Sequence, residues 1–378
     1  MSTSRPRIFL SAGEPSGDLH GAAVARALLQ RWPGAELFGL GGDLMKAEGV
    51  RLLAHTDQLA VMGFVEVLRH LPFFAGLWRR VKLEISSNSP QLVIPIDYPG
   101  FNLRLAAFAR RQRVPVLYYI APQVWAWHRS RIKQLAENVD RLAVVLPFEE
   151  QLFREAGANA EFVGHPLLDQ PPRIVSAEAF AKSINVPAST PILALFPGSR
   201  AQELDRHRQL FLATVARVQE KDPLIQPVWA AAPGILEEVY GETKVPYTTD
   251  SASLLAHARA ALVKSGTTTL QTALAEVPMV VTYQMHPLSY KLARRLVEVP
   301  HIALANLVAD ERVVAEVIQD AATPETLAEL LLPLLRDTPE RERVVSGLQQ
   351  VRRKLAAPNA RMSAAERVSA IAAELIGR

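Results

Sequence analysis

The sequence contains no cysteine. That excludes a disulfide scaffold, thiolate zinc or iron–sulfur centres, and a cysteine nucleophile. No uncharged apolar run reaches the roughly 18–20 residues a membrane-spanning helix needs. Residues 1–7 lack the apolar core of a secretory signal. The expectation is a soluble cytoplasmic protein. A strong charge of one sign is also missing, since 42 Lys and Arg against 38 Asp and Glu leave +4. That balance is too weak to argue for nucleic acid by itself. It is uneven, however. Residues 1–165 hold 19 basic and 15 acidic side chains, whereas residues 166–378 hold 23 of each.

What is present is ordinary globular material: 378 residues, 49% apolar and 21% charged. This composition rules out disorder, a collagen-like fibre and a coiled-coil rod. The length suits about two domains. Short apolar runs alternate with amphipathic stretches, the pattern of a parallel sheet wrapped by helices. A strand over 7–12 leads through the loop "GEPSGD" into a helix. "AELFGL", "QLVIPI", "VPVLYYI" and "RLAVVL" supply further strands, each continuous enough to be covered on both faces. Residues 101–111 read as a helix. "VGHPLLDQPPRIV" carries three prolines and reads as a linker.

The order then restarts with "PILALFPGSR", an amphipathic helix, and strands at "IQPVWAA", "AALVKSG" and "PMVVTYQ". From about residue 323 only helix remains. The predicted fold is α/β, with two doubly wound Rossmann-like domains facing each other across a cleft, and a helical C-terminal tail. The predicted boundaries are 1–165, 166–356, and a C-terminal helix over 357–378 packing back toward the first domain. Ligands of such sheets bind beyond the carboxyl ends of the strands, so the loops there carry the candidate residues.

"FPGSRAQE" combines Gly198, where backbone can approach a ligand, with Ser199, Arg200 and Glu203 at a helix start. That is an anion site or an ordinary strand–helix turn with a solvated arginine. "KSGTTTLQ" sets Ser265, Gly266, Thr267 and Thr268 before a helix, which suits a diphosphate, with Gln271 in reach of a ribose. The bland alternative is a serine N-cap. Neither loop is a Walker A, and no G-x-G-x-x-G with a following acid appears, which disfavours a dinucleotide oxidoreductase. Glu14, Ser16, Asp18 and His20 are polar groups in the first cleft-facing loop, unless Ser16 or Asp18 is only a helix cap. Asp97 ends a very apolar strand, where an acid is costly unless hydrogen-bonded or functional. Two tryptophans, Trp125 and Trp127, lie near His128, Arg129 and Arg131 and form either core packing or a sugar-binding wall.

Residues 63–85 stand apart. Pro72 suits the first position of a helix, placing Phe73, Phe74, Leu77, Val81 and Ile85 on one face beside Trp78. Arg69, Arg79, Arg80 and Lys82 border it, and no acid occurs from Val67 to Lys82. An interfacial helix has this composition, and so does a core helix with basic solvent residues.

"AGEPSGD", "VMGFVEV", "IDYPGFN", "VWAW", "LPFE", "VGHPL", "PGSRAQE", "KSGTTTL", "PMVV" and "ANLV", in this order and over essentially the whole chain, resemble the lipid-A-disaccharide synthase family. The resemblance implies a GT-B architecture and an inverting, metal-independent transfer with no cofactor. It implies UDP-2,3-diacylglucosamine as donor and 2,3-diacylglucosamine 1-phosphate as acceptor. It also implies work at an anionic membrane surface, peripherally, on the cytoplasmic face of the inner membrane, and allows a homodimer. Under it Asp97 is the candidate base, with His20 next and Arg200 at the leaving group. Gly198, Ser199, Glu203, Ser265, Gly266, Thr267, Thr268, Gln271 and Asn306 bind the nucleotide sugar. Glu14, Ser16, Asp18, Met62, Glu66 and Trp125 serve the acceptor side. Phe73, Phe74, Leu77, Trp78, Arg79, Arg80 and Lys82 form the membrane face.

Departures are visible too. A common second acid of the family is Gly100 here, a frequent glutamate is Gln271, and the family's "LPN" reads Leu304-Ala305-Asn306.

A UDP-N-acetylglucosamine 2-epimerase is the same-fold rival and needs no membrane face. A non-catalytic nucleotide-sugar sensor or docked scaffold would tolerate loss of Asp97. A nucleic-acid binder could use the basic helix, but no aromatic stacking sheet accompanies it.

Overall fold

The computed structural model describes residues 5–59, 64–123, 129–169, 171–232, 240, 243–286, 290, 300–356 and 361–377, without the side chains of 64–71, 129 and 130. The chain divides into two compact units, residues 1–169 with 356–378, and residues 170–355.

The first unit is built on seven parallel strands in the order β3-β2-β1-β4-β5-β6-β7. They are β1 (Arg7–Ala12), β2 (Glu36–Gly41), β3 (Arg51–His55), β4 (Leu92–Ile96), β5 (Leu117–Tyr119), β6 (Arg141–Val144) and β7 (Ala160–Phe162). β1 and β4 lie at the centre and are buried almost throughout. Burial on both faces is why they read as unbroken apolar runs. The C-terminal helix Ala364–Ile376 packs on the helix Pro15–Arg31 and on β4 and β5. Arg141 Nη1 donates to Glu374 at 2.7 Å, and Arg31 Nε donates to Ser369 Oγ at 3.1 Å.

The second unit has six parallel strands ordered β10-β9-β8-β11-β12-β13. These are β8 (Ile192–Phe196), β9 (Gln226–Ala230), β10 (Tyr247–Thr248), β11 (Ala258–Lys264), β12 (Met279–Tyr283) and β13 (Ala315–Ile318). In both units the order reverses at the first strand. That makes a topological switch point between β1 and β4, and another between β8 and β11. The loops with "GEPSGD", "DYPGFN", "PGSRAQE" and "SGTTTL" are therefore the four that leave these switch points.

The basic amphipathic helix spans Phe64–Asn88 and holds Pro72 in its interior, so it starts eight residues before the expected point. An interior proline costs about 3 kcal/mol. Leu77, Val81 and Ile85, four residues apart, offset it by burying in the core at 5%, 0% and 1% exposure. Leu77 consequently belongs to the core rather than to a membrane face. Phe73, Phe74 and Trp78 are half-buried and pack on the rim of the same core. Trp78 meets Phe101 and Phe108 edge-on at 5.4 and 5.8 Å. Arg79 and Arg80 are exposed, Lys82 is half-buried, and Leu83 is 61% exposed. Among the described residues no helix is long and apolar enough to cross a membrane.

Candidate active site

At the first switch point the chain leaves β4 through two consecutive left-handed residues, Asp97 (φ 45°) and Tyr98 (φ 50°). Such conformations cost energy for non-glycine residues and persist only where the surroundings over-determine them. Here they do. The Asp97 carbonyl accepts Asn102 Nδ2 at 2.8 Å and Tyr118 Oη at 2.7 Å, and the Asp97 amide donates to the Tyr119 carbonyl at 3.0 Å. Buried Asn102 also donates to the Ser11 and Ile96 carbonyls and accepts from Ser11 Oγ at 2.6 Å, which ties the ends of β1 and β4 together. The Tyr98 ring lies over Gly13, where a Cβ would come within 2.2 Å of it. All of this fixes the Asp97 backbone at the strand end. Burial, then the nearby Glu14 carboxylate, pushes the pKa of its carboxyl up to about 6. Asn102, Ser11 and Tyr118 escaped the sequence reading, although "IDYPGFN" contains the asparagine.

His20 lies on the helix Pro15–Arg31, and burial lowers its pKa to about 4. His165, after β7, is lowered to about 4 by burial and by His20. Its Nδ1 accepts the Leu167 amide at 3.2 Å. Both rings are neutral imidazoles at pH 7. The motif "VGHPL" contained His165, but nothing in the spacing joined it to His20.

Two first-loop expectations change. Asp18 serves the backbone of the loop after β2. Its buried carboxylate accepts the amides of Gly42, Leu44 and Met45 at 2.7–3.0 Å and so caps the helix Asp43–Ala47. Ser16 is not the cap of its helix, because that position is Glu14. Glu14 and Ser16 are exposed. Met62 and Trp125 lie outside the described residues, as does the side chain of Glu66.

At the second switch point Gly198 (φ 128°) allows a turn that no side chain permits, since a Cβ would stand 2.5 Å from Glu203 Oε2. Arg200 caps the helix Ala201–Lys221 with its side chain 64% exposed. Glu203 accepts the Ser199 amide at 3.1 Å and Lys264 Nζ at 2.8 Å. Burial raises the Glu203 pKa, but Lys264, the Ser199 amide and Arg200 outweigh it and hold it below the usual carboxylate range. The adjacent turn puts Gly266 at the N-cap of the helix Thr267–Leu274, with Thr267 exposed, Thr268 half-buried and Gln271 exposed. Ser265 Oγ is committed to the Ile302 carbonyl at 2.9 Å.

Asn306 is a correction. It is fully buried, donates to the Val314 carbonyl and to Glu316, and accepts the Val314 amide at 2.9 Å. With both ends of its amide bonded inside the fold, it braces the loop before β13. Among the described residues no group of three or more metal-ligating side chains occurs.

The first unit thus offers a fixed carboxylate with neutral histidines, and the second offers glycine turns with cations suited to a diphosphate. A family model described as Lipid-A-disaccharide synthetase matches residues 8–371. The Lipid-A-disaccharide synthase of Acidobacterium capsulatum is 38% identical over 396 residues, covering 100% of this chain and 98% of its own. Among solved structures, the calicheamicin glycosyltransferase CalG4 is similar at a TM-score of 0.62 and 18% identity, covering 99% of each chain. A UDP-N-acetylglucosamine 2-epimerase is similar at 0.64 and 10%, covering 99% of this chain and 97% of its own. At such identities the likeness carries the GT-B fold alone and does not separate transferase from epimerase. The sequence relationship does. Over nearly its full length, this chain belongs to the lipid-A-disaccharide synthase family of glycosyltransferases.

Proposed function

We propose that the protein joins UDP-2,3-diacylglucosamine to 2,3-diacylglucosamine 1-phosphate, giving lipid A disaccharide 1-phosphate and UDP. The acceptor 6′-hydroxyl oxygen attacks the donor's anomeric carbon from the face opposite UDP. Its proton passes to the Asp97 carboxylate. The bond from the anomeric carbon to the β-phosphate oxygen breaks, and its electron pair leaves with UDP, so configuration inverts.

The observation that carries this reading is the Asp97 carboxyl at a strand end, with its pKa raised to about 6 by burial and by Glu14. A general base works best with a pKa near the working pH. At about 6 it is ionised at neutral pH and a stronger base than His20 at about 4. Arg200 draws the donor diphosphate to the glycine turns, the amides at Gly266–Thr268 oppose the charge that grows on the β-phosphate, and this requires no divalent metal. Activity that disappears in EDTA and returns only with magnesium would refute that part.

Mass spectrometry of products formed from mixed UDP-sugar donors and acylated sugar phosphates tests the substrate assignment. Asp97→Asn is expected to lose about 10²–10⁴-fold in kcat while still binding UDP. Near-normal turnover by that variant would move the role of base to His20.

The acyl chains of both sugars reside in lipid, so the enzyme works against the cytoplasmic face of the inner membrane. The helix Phe64–Asn88 supports this with half-buried Phe73, Phe74 and Trp78 beside exposed Arg79 and Arg80.

A further inference from the structure

Lys264 is the last residue of β11, between the strand and the Ser265–Gly266 turn. Its side chain is 13% exposed, against 64% for Arg200. Two contacts, with Glu203 and the Tyr283 ring, hold the ammonium close to Gly266. Nζ lies 2.8 Å from Glu203 Oε1, 5.2 Å above the centre of the Tyr283 ring, and 3.9 Å from where a Cβ of Gly266 would stand. Glu203 belongs to the neighbouring anion loop, and its other oxygen accepts the Ser199 amide. The cation is therefore suspended between both glycine turns of the switch point, partly desolvated and already oriented. A charge held in that way acts on developing charge without reorganising, whereas an exposed side chain gives up rotamer freedom when it engages a ligand.

We propose that Lys264, positioned by Glu203, is the fixed cation that takes up the charge arriving on the departing diphosphate, while Arg200 mainly captures the donor. This rests on the glycosyltransferase reading above. As the bond from the anomeric carbon to the phosphate oxygen breaks, the electron pair moves onto that oxygen and the Lys264 ammonium stabilises it without giving up a proton. Lys264 then weighs on kcat and Arg200 on KM. Glu203 is a positioning residue that acts through Lys264, while its carboxylate also accepts the Ser199 amide and faces Arg200.

The test measures kcat and KM together with calorimetric binding of UDP and UMP, for wild type, Lys264→Met, Lys264→Arg, Glu203→Gln and Arg200→Gln. Lys264→Met is expected to lose roughly 10²–10³-fold in kcat. It should bind UMP within about threefold of wild type yet lose most of the preference for UDP over UMP. Lys264→Arg should recover part of both. Glu203→Gln keeps the cation but frees it, with a smaller kcat loss. Arg200→Gln should raise KM more than it lowers kcat. Turnover by Lys264→Met within threefold of wild type overturns the proposal, as does an equal loss of UMP and UDP binding. Should Lys264→Met fail to fold, an unchanged kcat in both Lys264→Arg and Glu203→Gln overturns it instead. Failure of the wild type to bind UDP or make product would defeat the glycosyltransferase reading itself, which the variants leave untouched.

Discussion

At the scale of single residues, the polar groups of this chain divide by what they are already bonded to. Asp18, Asn306 and Ser265 look like Asp97 in sequence, being small polar residues inside the motifs that carry the family resemblance. Three backbone amides use up the Asp18 carboxylate, and Asn306 and Ser265 are spent on carbonyls or carboxylates. Asp97 differs in that Asn102 and Tyr118 bond to its main chain rather than to its carboxyl, which meets the neighbouring Tyr98 amide. The raised pKa yields a double pH signature. The base must be ionised, so kcat/KM should fall tenfold per pH unit below about pH 6 and level off above it. Stability should move the other way. Between the ordinary value of 3.8 and about 6 the folded chain keeps a proton that the unfolded chain has lost. Stability is therefore lost as pH rises through that window, by on the order of 3 kcal/mol. Asp97→Asn should be far slower yet more stable than wild type at pH 7, with a flatter profile between pH 4 and 6. A profile from chemical denaturation that stays parallel to wild type would contradict this origin of the shift.

At the scale of elements, the central strands were legible and the edges were not. "RIFLSA", "LVIPI", "ILALF" and "MVVTY" are covered on both faces and so appear as apolar runs. The four strands that gave no signal, β3, β7, β10 and β13, are the four sheet edges. They are short or carry charge, as in "RLLAH", "AEF", "YT" and "AEVI", because an edge is only half covered and gains from polarity.

The helix Phe64–Asn88 was legible in composition but only partly in orientation. Its i, i+4 row of Leu77, Val81 and Ile85 turned to the core, leaving Arg79, Arg80 and Leu83 outermost. This changes how its membrane role is best tested. Replacing Phe74 and Trp78 with Ser should weaken vesicle binding, but Trp78 also packs on Phe101 and Phe108, so that variant mixes docking with folding. Arg79→Ser with Arg80→Ser leaves the core alone. Each arginine near an anionic surface contributes about 1 kcal/mol, so the pair should weaken co-sedimentation with anionic vesicles by roughly 10–30-fold at low salt. The difference should shrink as salt screens it. Equal binding by the double variant and wild type would make this an ordinary solvent-facing helix.

At the scale of the whole molecule, the two units are not successive segments. Residues 356–378 return to the first unit after residues 170–355 have formed the second. The returning helix buries Val368, Ile371, Ala372 and Leu375 against the first unit and adds the Arg141–Glu374 and Arg31–Ser369 contacts. Burying one large apolar side chain is worth about 1.5–3 kcal/mol, so this helix supplies a substantial share of a marginal total of about 5–15 kcal/mol. Its neighbours are the helix Pro15–Arg31 and the strands β4 and β5, and β4 is the strand that ends at Asp97. Removal of residues 364–378 should therefore damage the unit that is distant in sequence and spare the adjacent one. In hydrogen exchange, the truncated chain should lose protection in residues 15–31, 92–96 and 117–119. Residues 192–196 and 258–264 of the second unit should keep theirs. UDP binding should persist while turnover collapses, since the nucleotide loops remain intact and the support of Asp97 does not. Uniform loss of protection across both units would show that they fold as one cooperative body, and the return of the chain would then have no separate energetic meaning.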